Sequence, residues 1–326
     1  GIKCWFITKH EPSGDQRTVA NKAGYIVNIC SYDKFQSKLI DVWQYFSCRE
    51  NYAFGSVRNP QTGEFKFQEE YIDIELTNRR NESSNDTLKT ITEELLTGKK
   101  IIIQGYYGVG KSMALREAYK TISKLYRDKE TYKFPIYLNL RDHHGQINPV
   151  EVLERHARNI GYKHPEHLVR AWRAGYALLI LDGYDEIAAF GWAGKTSTLK
   201  DVRYKSMEVI REFFKQTPHK AGILLAGRIN YFDSIKEMEK AFGAISNLIY
   251  QIGDFTTEQV NNYLRKKGIK SNIPDWVPAR PLLLGYLVAN GILDDLVNKD
   301  GICTAAEGWD FLIDEVCNRE ALIEAG

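Results

Sequence analysis

The stretch IIIQGYYGVGKSMALREA, residues 101–118, constrains this chain more than any other. Lys99 and Lys100 lead into three isoleucines, the pattern of a buried parallel strand over Lys99–Gln104. Gly105-x-x-x-x-Gly110-Lys111-Ser112 follows at once, and Met113–Leu125 carries apolar residues at helical spacing. Strand, glycine loop and helix in that order are what a phosphate-binding loop requires. Gly105, Gly108 and Gly110 let backbone N–H groups turn inward around phosphates at a helix N-terminus. Tyr106, Tyr107, Val109 and Met113 complete the candidate cradle for ATP or ADP. Lys111 would reach the β- and γ-phosphates, and the Ser112 hydroxyl would bind Mg²⁺.

Such a loop needs a carboxylate for the metal, and ALLILDGYDEI (177–187) supplies one. Ala177–Leu181 is continuously apolar and ends in Asp182, which puts that acid at the carboxyl edge of the sheet, where ligands bind. Asp182 is the candidate Mg²⁺ partner, on a neighbouring strand tip. Either Asp185 or Glu186 is placed to polarise an attacking water. FPIYLNL (134–140), AGILLAGR (221–228) and NLIYQIGDF (247–255) read as three more strands. Arg228 ends the second of these, where its fork suits either a γ-phosphate or a surface carboxylate. The units alternate strand and helix, which predicts an α/β fold with a five-stranded parallel sheet flanked by helices.

GYYGVGKS, LLILDGYDEI and the arginine of LLAGRINYF together resemble the NACHT module of STAND-class signalling ATPases. DFTTEQVNNYLRKKG (254–268) resembles the start of that family's helical subdomain, and Pro281 of ARPLLLGYL matches a proline lying against the base and ribose. AWRAGYALLILDGYDEI and WDFLIDEVCNREA are similar to bacterial members, including antiphage-defence proteins. The resemblance implies an ATP/ADP switch with slow, Mg²⁺-dependent hydrolysis. In such a switch, nucleotide state controls self-association through the NTPase module and activation of an N-terminal effector. It also implies a winged-helix domain and a trigger-binding sensor beyond Gly326. The arginine motif departs from the family, reading Ala-Gly-Arg-Ile where many relatives have Thr-Ser-Arg-Pro.

The flanks divide the chain into a small α/β piece (1–55), a linker and lead-in (56–84), the NTPase core (85–253) and a helical lid (254–326). In the first piece KCWFITK and YIVNICS read as strands, and Ser13 caps a helix to Ala23. SYDKFQSKLIDVWQYFSC reads as one amphipathic helix with Phe35, Leu39, Val42, Trp43 and Phe46 on a face. This unit resembles the closing half of a Mrr-like restriction-endonuclease domain, which implies DNA as a partner through an upstream effector. The acid–lysine pattern GEFKF (63–67) lies in a turn-rich stretch and lacks the convergent carboxylates of a metal-dependent nuclease. GSVRNPQTGE (55–64) has linker composition. The segment from Asp86 to Thr97 predicts a helix stopped by Gly98. Tyr71, Ile72 and Leu76 are candidates for either base contact or core packing. His143 and His144 read as a solvated loop, since adjacent residues cannot easily chelate one ion.

A net charge of +2 favours no partner, and no apolar run spans a bilayer. The five cysteines are odd in number and scattered (Cys4, Cys30, Cys48, Cys303, Cys317), which predicts free thiols in the cytoplasm. Opening on Gly1 rather than Met reads as a piece of a longer protein. Two rival readings share the motifs. A AAA-like motor predicts a second sensor arginine in the lid, for which Arg280 could be mistaken although the Pro281 match explains that region better, and an ATP-regulated nuclease would cleave DNA.

Overall fold

The computed structural model describes residues 4–59, 61–65, 71–81, 85–187, 198–243, 248–270, 273–293 and 304–325. The chain begins with strand β1 (Cys4–Thr8), helix α1 (Gly14–Lys22), β2 (Val27–Ser31), α2 (Tyr32–Gln36) and α3 (Val42–Glu50). β1 and β2 pair in parallel as a two-stranded sheet of their own. Ser13 caps α1 with a full capping box to Gln16, as its spacing predicts. The single helix expected over 31–48 is instead two. Ser31 caps α2 and Asp41 caps α3, accepting from Gln44 N–H, so each short helix has its own start signal and the chain turns between them. The turn rotates α3 so that Val42, Tyr45, Phe46 and Arg49 are buried and Trp43 is 60% exposed.

Next come β3 (Glu75–Asn78), β4 (Asn85–Thr87) and α4 (Leu88–Leu96), then β5 (Lys100–Gly105) and α5 (Lys111–Arg127). They are followed by β6 (Phe134–Asn139), α6 (Pro149–Asn159), α7 (Pro165–Arg173), β7 (Ala177–Asp182), α8 (Leu199–Ser206) and α9 (Glu208–Gln216). The core closes with β8 (Ile223–Arg228), α10 (Ile235–Phe242) and β9 (Ile249–Ile252), and the segment expected as a lid, so labelled below, carries α11 (Thr257–Lys266), α12 (Pro281–Ala289) and α13 (Ala305–Ala325). The five expected parallel strands lie side by side in the order β9-β5-β8-β7-β6. Every residue of β6 and β7 is buried, which is why both read as unbroken apolar runs. β8 separates β7 from β5, so the strand carrying Asp182 is one removed from the glycine-loop strand rather than its neighbour.

Two further strands widen the sheet to seven. β3 pairs antiparallel with both β9 and β4. Ile72, Ile74 and Leu76 are buried while Asp73 and Glu75 are exposed, the period-two alternation of a strand covered on one side. Most buried residues form one core around the sheet, and it includes Ile40, Val42, Tyr45, Phe46 and Phe54 from the N-terminal segment. A second, smaller core joins Ile72 to the lid residues Val260, Leu264, Leu284, Leu287 and Leu312. No helix among the described residues is long and apolar enough to cross a membrane.

Candidate nucleotide-binding site

Strand pairing sets Gly105 opposite Arg228, Ala226 opposite Asp182, and Asp182 opposite Asn139. Four strand tips therefore end at one edge, beside the crevice where the strand order reverses. A cleft of about 220 Å³ opens there. The loop residues Tyr107 to Met113, including Lys111 and Ser112, line one wall; Asp182, Asp185, Glu186 and Arg228 line the second; Pro281 stands at the third. Gly105 ends β5 beneath the loop, and Tyr106 faces the opposite side with Arg79 and Gln104, so these two residues stay outside the cleft.

The loop geometry follows from its glycines. Gly108 and Gly110 adopt φ of 80° and 94°, a region that side chains disfavour and that turns successive N–H groups to one side. Gly110 begins α5 without a side-chain cap, which leaves the N–H groups of the first turn for an anion. Lys111 Nζ donates to the carbonyls of Gly105 (3.0 Å) and Tyr106 (2.8 Å), spanning the loop. Burial pushes its pKa down, while Asp185 and Asp182 hold it up.

The acids occupy different environments. Asp182 is buried, and its Oδ2 accepts from the Tyr137 hydroxyl at 2.7 Å. Burial raises its pKa, opposed by hydrogen bonds from Tyr137 and Ser112. Asp185 is fully committed to one partner: Oδ1 accepts from the Arg228 backbone N–H and Oδ2 pairs with Arg228 Nε, each at 2.9 Å. The half-exposed guanidinium lies 5.5 Å from the Tyr107 ring. Glu186 is partly buried, and no described residue donates to its carboxylate. Burial, then Asp182 and Asp185, raise its pKa against Arg141 and Arg228.

The departure in the arginine motif has a steric reason. A Cβ on Gly227 would come within 2.5 Å of the Tyr184 ring. Tyr184 is fully buried; its hydroxyl donates to the Arg228 carbonyl (2.7 Å) and accepts from Gln104 Nε2 (2.9 Å). The glycine makes room for the tyrosine of DGYDE, and the tyrosine in turn holds the backbone of Arg228.

The lid meets the loop directly. Leu282 N–H donates to the Gly108 carbonyl at 3.1 Å, and the Pro281 ring stands 3.9 Å from where Gly110 would carry a Cβ. Arg280 pairs with Asp254 at 3.3 Å and does not line the cleft. Tyr71 and Ile72 do line it, with Ile74; Leu76 is sealed in the core. His143 is not solvated: it is 2% exposed, Nδ1 lies 3.2 Å from Gln146 Oε1, and burial lowers its pKa to about 4. Part of the GEFKF stretch lies outside the described residues. Sequence reasoning missed Ser56, Val57 and Arg58, which line the cleft from within the supposed linker, and Phe255 and Tyr263 from the lid. The glycine and asparagine of that linker hid its docking, whereas Phe255 and Tyr263 show only as apolar positions around α11.

The model of the NACHT domain matches residues 99–271, more than half of the chain. The chain belongs to the NACHT family. It is accordingly a nucleotide-binding P-loop NTPase, and the glycine loop, DGYDE and Arg228 all fall inside the matched NACHT region. A search of curated proteins returned no match. Solved structures similar to this NACHT protein include the Aeropyrum pernix ORC1 protein in complex with DNA, at 13% identity and TM-score 0.40 over 69% of this chain and 64% of that one. AMPPCP-bound DnaA from Aquifex aeolicus is similar at 17% identity and TM-score 0.35, over 72% and 65%. Drosophila ORC bound to DNA gives 12%, 0.37, 72% and 55%. The chain thus spans less than two thirds of the length of these proteins, and likeness this distant says nothing of what it binds.

Proposed function

We propose that this NACHT module is an ATP/ADP switch in which the nucleotide sets the position of the helical lid against the α/β core. The observation that carries this reading is the direct bond between lid and phosphate loop, Leu282 N–H to Gly108 C=O, beside Pro281. A nucleotide bound by the loop lies at the joint between the two cores, and differential contacts with ADP and ATP would bias two arrangements.

Residue roles follow from environment. The N–H groups of the loop and of the first turn of α5 bind phosphate oxygens, and Lys111 exchanges its two carbonyl partners for the β- and γ-phosphates. Ser112 and the buried Asp182 set a hydroxyl beside a carboxylate, a hard-oxygen pair that suits Mg²⁺. The metal, when bound, neutralises developing phosphate charge. Glu186 takes the water-activating role, because its carboxylate is uncommitted while Asp185 is held by Arg228. The Asp185–Arg228 pair positions the guanidinium, which releases toward a γ-phosphate or stays closed over ADP. Pro281 bounds the nucleoside end.

The sequence resemblance extends this reading to a setting. ATP drives self-association of the full-length protein and activation of an N-terminal effector in bacterial antiphage immunity, and slow hydrolysis resets it. The test is turnover together with assembly size. The switch predicts steady-state ATP hydrolysis below roughly 1 per second and an ATP-bound Glu186→Gln protein larger than the ADP-bound wild type. Fast continuous turnover with no nucleotide-dependent change in size would favour a remodelling motor instead.

A further inference from the structure

Residues 51–59 run from α3 into the stretch that, from Gly55 on, has linker composition in sequence, yet they are fastened onto the site at several points. Arg49, fully buried and without a carboxylate partner among the described residues, donates from Nε to the Tyr137 carbonyl (3.1 Å), from Nη1 to the Tyr52 carbonyl (2.9 Å) and from Nη2 to the Ala53 carbonyl (3.0 Å). Its guanidinium lies 4.0 Å from the Phe54 ring centroid, and Phe54 packs against Tyr119 of α5 and Tyr137 of β6. The tip of β6 grips the next residues. Asn139 Oδ1 accepts from Gly55 N–H (2.8 Å), Asn139 Nδ2 donates to the Ala53 carbonyl (3.0 Å), and Arg141 donates to the Gly55 carbonyl (2.6 Å).

These tethers press Gly55 onto the two oxygens suited to a divalent ion. Gly55 has φ of 53° and is buried. A Cβ on it would overlap Asp182 Oδ2 and stand 2.8 Å from Ser112 Oγ. A point 2.1 Å from Asp182 Oδ2 and 2.8 Å from Ser112 Oγ therefore lies one bond length from the Gly55 backbone, directly before the cleft-lining residues Ser56, Val57 and Arg58. An ion, or a water coordinated to it, cannot occupy that space while Gly55 stays where it is.

We propose that residues 53–58 form a strap that closes the cation side of the nucleotide site, and that loading of Mg²⁺-nucleotide lifts its Gly55 tip off Asp182 and Ser112. Only glycine suits the tip, since both its backbone angle and its contact with the carboxylate exclude a side chain. Because Arg49 ties α3 to the same strap, the N-terminal unit is coupled to whether the cation is present. ADP held by the loop alone leaves the strap seated; the metal-bound triphosphate displaces it. This inference rests on the nucleotide-site reading above and names how that site addresses the N-terminal unit.

The test is amide hydrogen exchange across residues 50–59 of the full chain, with ADP in EDTA and with a non-hydrolysable ATP analogue in Mg²⁺. Gly55 N–H is bonded to Asn139, and Val57 N–H to the Phe54 carbonyl at 3.0 Å. Both should stay protected in EDTA and exchange at least ~10-fold faster with Mg²⁺. Asn139→Ala, which removes two tethers, should speed exchange in EDTA and lower the Mg²⁺ concentration for half-maximal nucleotide binding at least ~3-fold. Nucleotide bound with equal strap protection in both buffers, or an unchanged Mg²⁺ requirement in Asn139→Ala, overturns the strap and leaves the nucleotide reading intact. Failure of nucleotide to bind in either buffer removes both.

Discussion

Asp185 and Glu186 are neighbours in sequence and opposites in environment. DGYDEI offers both as bases, and only the fold separates them by giving Asp185 to Arg228. Glu186→Gln should lower turnover by roughly 100-fold or more with little loss of ATP affinity, read by steady-state and binding assays. Asp185→Asn should act mainly by loosening Arg228, with a smaller effect on turnover. The base works ionised, and the Glu186 pKa is raised. The acid limb of the rate profile should therefore lie above the ordinary carboxylate range, and a limb at or below it would argue against Glu186. His143 gives a second pH signature. Its folded pKa of about 4 lies below the usual 6.5, and burial lowers His156, 6.5 Å away ring to ring, in the same direction. Unfolding releases groups that take up protons, so stability is full above pH 6.5 and falls as pH drops toward 4. His143 alone contributes roughly 3 kcal/mol of that loss at most. Denaturant melts of His143→Gln across this range should show a shallower fall. Nothing in RDHHGQ marks one histidine as buried, because that follows from the packing of α6 over the tip of β6.

At the scale of elements, the five parallel strands were legible because each is an apolar run ending at a polar tip. The two antiparallel strands were not, although Ile72, Ile74 and Leu76 alternate cleanly, because strands of four and three residues give periodicity little length to work on. The N-terminal helix misread as continuous shows the converse: helical spacing persisted across residues 37–41, and the Asp41 cap outweighed it. Gly227 and Tyr184 form a matched pair that neither motif reveals alone. Gly227→Ala should cost roughly 1–3 kcal/mol, and much of that should return in Gly227→Ala/Tyr184→Leu, measured as a double-mutant cycle by denaturant melts. Additive losses would dissociate the two residues. Arg49 carries a similar share for the strap. Arg49→Met removes a donor from the buried Tyr137 carbonyl and from the part-buried carbonyls of Tyr52 and Ala53, the last of which keeps Asn139, and should cost roughly 3 kcal/mol.

Across the whole molecule, two hydrophobic cores meet at a cleft that each supplies in part, with Ile72, just ahead of β3, packed into the lid's core. The glycine loop and the acid strand marked the candidate site in the sequence. The lid contact, the Arg228 clamp and the strap needed residues distant in the chain to come together, which no local pattern encodes. The account depends on the loop of residues 105–112 gripping nucleotide phosphates through Lys111. The direct measurement is calorimetric titration of ADP and ATP into the wild-type chain and Lys111→Ala. We expect one site per chain in the wild type and an affinity loss of at least ~100-fold, about 2.7 kcal/mol, in the variant. A folded Lys111→Ala protein that binds either nucleotide as tightly as wild type would contradict the account.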